Sequence, residues 1–224
     1  ESLKKKRAEA DQKMNELIPA LFVKMFGDPS ANPMKWEMVP LSELGSLDRG
    51  KSQNRPRTAP ELFGGPYPFV QTGDITNAGW RLISYSQTYS NKGLAQSKLW
   101  PKDTLCITIA ANIARTTILD FEACFPDSVV GFISNENSNP DYIQGLFIFL
   151  QRRLEDIAPR AAQLNINLAI LRSYLVPKPP VDLQNQFAKK VKEIEAQKEK
   201  QKQSAIQLDI LFSSLLSRSF AFKI

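Results

Sequence analysis

The feature that most constrains this chain is a long segment near its C-terminus that contains neither proline nor glycine. It follows Pro177, Pro179 and Pro180, which exclude an α-helix immediately upstream, and Asp182 is well placed to cap a helix that begins after them. Within it, intervals of four and three alternate along one stripe: Phe187, Val191, Ile194, Lys198, Gln201, Ala205, Leu208, Phe212, Leu215 and Ser219. We predict one helix from Asp182 to Phe222, about 60 Å long, that packs along another helix. A surface helix on its own domain is the alternative.

The N-terminal segment repeats this pattern. One constant shift along the chain pairs apolar residues of the two segments: Met14 with Leu208, Leu17 with Leu211, Ile18 with Phe212, Leu21 with Leu215 and Phe26 with Phe220. Pro19 breaks the repeat, because the same shift aligns it with Ser213. It is expected to kink the N-terminal helix, which is predicted to end at Gly27. The order helix, central part, related helix indicates a repeated architecture.

Between the two helices the pattern changes to short β-like runs separated by turn-forming residues. Six strands are predicted, near Glu37–Val39, Tyr67–Gln71, Thr104–Ala110, Thr116–Leu119, Val129–Ile133 and Tyr174–Val176. A helix is predicted from Pro140 to Leu154 with Asn139 as its N-cap, and a short one after Asn167. The predicted fold class is α+β: a small α/β globular domain with a bent sheet (28–181), flanked by long antiparallel coiled-coil-like helices (1–27 and 182–224).

Composition excludes several classes of function. The chain has no histidine, which removes Ser-His-Asp and Cys-His catalysis and zinc sites built with imidazole. Cys106 and Cys124 have no metal-ligand or disulfide spacing, so no metal site is expected and the thiols are predicted to be reduced. The net charge of +6 permits nucleic-acid binding without requiring it, since charge is nearly balanced between Trp36 and Lys178. The longest apolar run, residues 143–150, is too short to span a membrane. The first residue, Glu1, suggests a fragment or a processed chain.

An ordered set of motifs covers nearly the whole chain. They are Leu-Phe-Val-Lys-Met-Phe-Gly-Asp-Pro (21–29), Trp-Glu-Met-Val-Pro-Leu-Ser-Glu-Leu (36–44), Pro-Phe-Val-Gln-Thr-Gly-Asp-Ile (68–75), Lys-Asp-Thr-Leu (102–105), Gln-Leu-Asn-Ile-Asn-Leu (163–168) and Val-Pro-Lys-Pro-Pro-Val-Asp-Leu-Gln-Asn-Gln (176–186). In this order they resemble the specificity subunits of type I restriction–modification systems. Lys102 departs from the family pattern, in which glycine usually occupies that position. A full subunit has two recognition domains, whereas this chain resembles one domain with both flanking helices, as a fragment or a half-length subunit.

This resemblance implies a function. A target-recognition domain of the family reads one half of a bipartite DNA site, and the spacer helices set the gap between the halves. The helices also dock the methyltransferase and restriction subunits. S-adenosylmethionine, ATP and magnesium belong to those partners, so the resemblance implies no cofactor and no catalytic activity for this chain. It implies a prokaryotic, cytoplasmic protein, and a homodimer through the long helices is a further expectation.

Four groups of polar residues are candidates for contacting DNA, because they combine cations with amides that can bond base edges. They are Arg49, Lys51, Gln53, Asn54, Arg55 and Arg57 in a polar loop that is predicted to be mobile; Gln71, Thr72, Asp74 and Arg81; Asn112 and Arg115; and Gln163 and Asn165. Each group has an alternative reading: a merely solvated loop, a turn closed by Asp74 itself, a tight hairpin around Asn112, and a helix cap at Asn167.

The helical stripe supplies the candidates for packing on a partner helix: Met14, Ile18, Leu21, Phe187, Val191, Ile194, Leu208, Phe212 and Leu215. Two rival functions remain open. One is a helical adaptor that assembles protein partners without binding DNA. The other is a free-standing metal-dependent enzyme using Asp74, which the absence of a clustered Asp/Glu-x-Lys pattern disfavours.

Overall fold

The computed structural model describes residues 2–54, 56–110, 113–157 and 167–221, leaving aside the side chains of 2–4, 8, 11, 152, 155–157 and 216–221. Two compact units are present: Glu1–Ile18 with Lys189–Ile224, and Pro19–Ala188. The predicted domain boundaries follow the ends of the long helices, whereas these units divide inside both helices.

The structure contains six helices and nine strands within its described residues. The helices are α1 (Ser2–Phe26), α2 (Thr72–Asn77), α3 (Asn91–Ala95), α4 (Pro140–Ile157), α5 (Leu168–Ser173) and α6 (Val181–Ala221), with 3-10 turns at Leu41–Glu43 and Pro60–Leu62. The strands are β1 (Glu37–Pro40), β2 (Gly45–Arg49), β3 (Phe63–Phe69), β4 (Arg81–Leu82), β5 (Gln87–Tyr89), β6 (Leu105–Thr108), β7 (Thr116–Leu119), β8 (Val129–Ser134) and β9 (Leu175–Lys178). This mixture of helices and strands confirms the predicted fold class.

The central element of the larger unit is a five-stranded sheet with the spatial order β2-β8-β6-β7-β4. Neighbouring strands are antiparallel except β4, which runs parallel to β7. Two-stranded ribbons form separately, β1 with β9 and β3 with β5. The core on the sheet includes Trp100, which stacks on Phe125 with ring centroids 4.7 Å apart. A Cβ atom on Gly131 would lie 2.5 Å from that indole, so this position in β8 accepts only glycine without rearrangement.

Local sequence signals placed several elements correctly. The strand predicted at Thr116–Leu119 has these bounds, and both predicted N-caps form: the side-chain oxygen of Asn139 accepts from the Asp141 N–H, and that of Asn167 from the Ala169 N–H. The helix α1 ends at Phe26, and the next residue, Gly27, has a φ of 80° and donates to the Val23 carbonyl. Pro19 lies inside α1, which continues through it.

An aromatic cluster forms where the last turns of α1 meet α4 and the start of α6. Phe22 and Phe26 are fully buried among Tyr142, Phe149 and Phe187, with ring centroids 4.8–5.6 Å apart. Burial raises the pKa of the Tyr142 hydroxyl, which donates to the Pro177 carbonyl at 2.7 Å. Phe187 therefore stabilises its own domain.

This burial corrects part of the predicted partner-facing stripe. Phe187 is 0% exposed, Val191 1% and Ile18 2%, so these three side chains are covered within the chain and are not accessible to a partner helix. The heptad pattern could not distinguish a helix of the same chain from one of another protein. Met14, Leu21 and Ile194 are half-buried.

In the smaller unit, the first part of α1 and the later part of α6 run antiparallel. Arg7 forms an ion pair with Asp209 at 3.1 Å, and Met14 lies beside Gln201 and Ala205 around a cleft of about 300 Å³. Six large apolar side chains near the C-terminal end of α6 remain about half exposed or more: Ile206, Leu208, Ile210, Leu211, Phe212 and Leu215.

Candidate nucleic-acid interface

Four strand ends lie in a row at one end of the five-stranded sheet. They are the last residues of β2 and β6 and the first residues of β8 and β7. Arg49 of β2 pairs with Val130 of β8, Thr108 of β6 pairs with Val129 of β8, and Thr116 of β7 pairs with Ile107 of β6. Because neighbouring strands are about 4.8 Å apart, the row is about 14 Å long. Residues 49–54, 56–58, 113–115 and 126–128 therefore lie at this end, which we call the loop end of the sheet.

The segment after β2 is held by hydrogen bonds, although its composition predicted a mobile loop. The Gly50 N–H donates to Val129 and the Lys51 N–H to Phe125, at 2.9 and 3.0 Å. The Ser97 hydroxyl donates to the Lys51 carbonyl at 2.7 Å. A Cβ atom on Gly50 would lie 2.3 Å from the Phe125 carbonyl oxygen, so glycine allows this close approach. Side chains leaving this backbone are thus presented from a defined position.

Several cations and amides of the loop end are available to a ligand. Lys51, Gln53 and Arg115 are exposed and Arg49 is half-exposed. No ion pair to an acidic side chain is formed by Arg49, Lys51 or Arg115 in the part of the chain that the structure describes. Arg57 differs, since it pairs with Asp127 at 2.8 Å and is partly neutralised. This pairing makes Arg57 a weaker candidate than the sequence indicated.

Asn54 and Arg55 complete the predicted loop. The backbone N–H of Asn54 donates to the side chain of Gln96 at 2.9 Å, and its own amide donates to the Pro56 carbonyl. Arg55 lies outside the described residues. The structure thus ties Asn54 to its own chain, while the role of Arg55 stays a prediction.

The second predicted group is engaged in local structure. Asp74 accepts a hydrogen bond from the Gln71 N–H at 2.8 Å and one from the Ser86 hydroxyl, so it caps α2. The Gln71 side chain donates to Gln87 at 2.7 Å, and Thr72 lies in the first turn of α2. We assign Asp74 to this cap, in line with the alternative from the sequence that Asp74 bonds to nearby backbone. DNA contact by Gln71 and Thr72 stays a prediction.

Arg81 requires a correction. Its guanidinium lies 2.7 Å from Asp103, 3.7 Å from Asp120 and 3.3 Å from Asp141, and Trp80 donates to Asp141 at 2.6 Å. Burial lowers the pKa of Arg81, but the hydrogen bond to Asp103 and the three negative charges outweigh it and the pKa is raised. Since the cation is surrounded by carboxylates, it stabilises the junction of β4 and α4 and has no free charge for phosphate.

The remaining predicted groups are only partly covered by the structure. Asn112, Gln163 and Asn165 lie outside the described residues. Arg115 directly precedes β7, which pairs antiparallel with β6. The alternative of a tight hairpin around Asn112 falls on residues outside those that the structure describes. Lys98, which no sequence pattern singled out, pairs with Asp48 at 3.5 Å and lies 3.9 Å over the Trp100 ring. The ion pair with Asp48 joins residues far apart in sequence, and only the fold reveals it.

The described residues offer little for metal or thiol chemistry. No group of three or more Cys, Asp or Glu side chains among them is arranged to hold a metal ion. Cys106 and Cys124 are buried, and burial raises the pKa of both thiols, although a hydrogen bond with Ser97 partly opposes this at Cys124. Within the described chain, none of the helices combines the length and apolar character needed to cross a bilayer.

Comparison with known proteins identifies the class to which this domain and its helices belong. The family model of the type I restriction modification DNA specificity domain matches residues 33–208. The chain therefore belongs to this family, as its ordered motifs predicted. The specificity subunit of the type I restriction enzyme HindI from Haemophilus influenzae is 24% identical over 170 residues, which are 71% of this chain and 35% of that subunit.

Solved structures share the fold. The HsdS subunit from Thermoanaerobacter tengcongensis matches with a TM-score of 0.65 and 18% identity, over 91% of this chain and 48% of that one. The S subunit from M. genitalium matches with a TM-score of 0.60 and 16% identity, over 96% and 57%. A chain from a structure on the assembly and conformational transition of the type I R-M system matches with a TM-score of 0.72 and 18% identity, over 98% and 54%. This chain thus spans about half the length of these structures.

Proposed function

We propose that this chain reads one half of a bipartite duplex DNA site as the recognition part of a type I specificity subunit. The observation that carries the proposal is the loop end of the sheet. There Lys51, Gln53 and Arg115 are exposed and Arg49 is half-exposed, and the backbone at Gly50, Lys51 and Arg115 is held by hydrogen bonds. Family membership makes DNA the ligand to test first.

The chemistry of these residues suits the two tasks of DNA recognition. Exposed cations neutralise phosphates and set the register of the protein on the duplex, whereas arginine and glutamine can bond two atoms of a base edge. Arg49 and Lys51 lie on β2 and directly after it, so we assign them to phosphates. Gln53 and Arg115 are the candidates for bases. The row of four strand ends at the loop end is about 14 Å long, which is comparable with the width of the major groove, about 12 Å.

The long helices are proposed to dock the methyltransferase and restriction subunits. The six exposed apolar residues of α6 support a protein partner, because contiguous exposed apolar surface commonly marks an interaction site. S-adenosylmethionine, ATP and magnesium would then be bound by those subunits, and this chain would contribute no catalytic group. A second copy of the chain is the alternative occupant of the helices. We expect the protein to act in the prokaryotic cytoplasm, where its DNA is found.

The same exposed apolar residues favour a second candidate function. A helical adaptor would use α6 to assemble proteins, and its middle domain would contact protein rather than DNA. The two functions differ in one respect that can be measured: only the first gives salt-dependent, sequence-selective DNA binding.

Selection from a random duplex library tests the proposal. The full chain, alone and with a cognate methyltransferase subunit, is incubated with the library at several salt concentrations, and bound DNA is sequenced. We expect enrichment of one short motif, stronger with the partner present. Selection of no motif in the presence of the bound partner would contradict DNA reading and support the adaptor.

A further inference from the structure

A cleft of about 210 Å³ lies at the loop end, between the turn that joins β6 to β7 and the middle of α4. Its lining residues include Arg115, Trp80, Gln144, Phe147 and Gln151. All of these residues belong to the larger unit. Nothing in the sequence placed α4 next to this turn, so the cleft is visible only in the folded domain.

The backbone that carries Arg115 is held firmly. The Thr108 N–H donates to the Arg115 carbonyl at 2.9 Å, and the Arg115 N–H donates to the Thr108 hydroxyl at 3.1 Å. Ala114, which is 2% exposed, has a φ of 57°, in the left-handed region that residues other than glycine rarely adopt. Such backbone strain persists only where surrounding contacts enforce it, and here it fixes the exit direction of the next side chain.

The opposite side of the cleft, formed by Trp80 and α4, is also held by hydrogen bonds. The Gln144 amide donates to the Trp80 carbonyl at 2.8 Å, and the Trp80 indole donates to Asp141 at 2.6 Å. Gln144 is 4% exposed, and its side-chain oxygen has no hydrogen-bond partner within the described structure. A buried acceptor without a hydrogen-bond donor destabilises the folded protein, so a donor supplied by a ligand in the cleft is favoured.

The groups around the cleft match a base edge better than a phosphate. Among the described residues that line the cleft, Arg115 is the only charged one, and none of them is a carboxylate that could oppose its guanidinium. Gln151 adds an amide, and Ile148, 42% exposed, adds an apolar surface. A guanidinium, an amide and an apolar group all contact base edges in protein–DNA complexes, whereas a phosphate needs only donors and positive charge.

We propose that this cleft is a base-reading site in which Arg115 and Gln151 contact the edge of a base pair and thereby set the sequence preference at that position. The site rests on the proposed function, because it requires that the loop end faces duplex DNA. It adds Gln151, which no sequence pattern singled out, and it gives Arg115, already a candidate for contacting bases, a defined cleft in which to do so.

The test repeats the library selection with the chain and its methyltransferase partner for Arg115→Ala, Arg115→Lys, Gln151→Ala and a control, Arg153→Ala. Arg153 is exposed on α4, carries the same charge as Arg115 and does not line the cleft. A thermal melt of each variant checks that the fold is retained.

We expect Arg115→Ala to reduce the preference at one motif position about tenfold or more, while the other positions keep theirs. Arg115→Lys should not restore that preference, because lysine lacks the planar fork that bonds two base atoms. Gln151→Ala should weaken the same or the adjacent position, and Arg153→Ala should leave the motif intact.

Two results would overturn the inference while the proposed function stands. One is an unchanged motif in the Arg115 and Gln151 variants. The other is a uniform loss of affinity for all sequences that Arg115→Lys restores, which would make Arg115 a phosphate contact. A wild-type chain that selects no motif with its partner bound would overturn the proposed function and this inference together.

Discussion

Replacing Arg49 and Lys51 together by alanine is expected to weaken DNA binding about 60-fold at 0.1 M salt. Each phosphate contact releases counterions and contributes about 0.9 to the slope of log K against log salt concentration, so two lost contacts lower the slope by about 1.8. Both side chains leave a backbone fixed against β8 and the Phe125 carbonyl, and neither forms an ion pair with an acid in the described structure. The measurement is the affinity for the selected duplex at four or more salt concentrations.

A matched control variant distinguishes the loss of charge at the loop end from a loss of net charge elsewhere on the protein. Lys24 and Lys35 are exposed in the same unit and lie outside the loop end, so Lys24→Ala with Lys35→Ala removes the same charge. We expect this control to keep nearly all of the affinity and of the salt slope. Equal losses in both double variants would show that net charge, rather than the loop end, determines binding.

Replacing Phe22 by alanine is expected to lower the free energy of unfolding by about 3–5 kcal/mol, as for other fully buried phenylalanines. Phe22 is 0% exposed and contacts four aromatic rings, those of Phe26, Tyr142, Phe149 and Phe187. Its removal leaves a cavity at the point where the two helix termini join the domain. Urea denaturation of the full chain, followed by far-ultraviolet circular dichroism, measures the change.

The adjacent residue provides the control. Val23 is 42% exposed in the same turn of α1, so Val23→Ala should change the stability by about 0.5 kcal/mol or less. If Phe22→Ala were no more destabilising than Val23→Ala, the aromatic cluster would not hold the end of α1 on the domain.

Elements with local signals were predictable from the sequence. The proline run followed by Asp182 located the long helix to within a residue of its start at Val181, and the side-chain oxygens of Asn139 and Asn167 cap the helices they preceded. The short strands β2, β4 and β5 and the helices α2 and α3 were missed. Such elements owe their stability to tertiary contacts; Ile75 of α2, for example, is buried on the core of the sheet, whereas its sequence resembles a turn.

The candidate site was only partly predictable, for a related reason. Composition identified Arg49, Lys51 and Arg115, but the charge available to a ligand depends on neighbours from distant parts of the chain. Arg81 is surrounded by three carboxylates and Arg57 pairs with Asp127. Periodicity likewise identified the stripe on α6 without showing that its first part is covered by the same chain.

Site-specific photo-crosslinking tests most directly the claim that the loop end faces DNA. A photoreactive amino acid is placed at Gln53, which is exposed at the loop end, and in a second sample at Lys35, which is exposed elsewhere in the same unit. Each sample is irradiated with the methyltransferase partner and the selected duplex. We expect strong cross-linking to DNA from position 53, competed by unlabelled duplex of the selected sequence, and little from position 35. Cross-linking to DNA from position 35 alone, or to the partner protein alone from position 53, would contradict it.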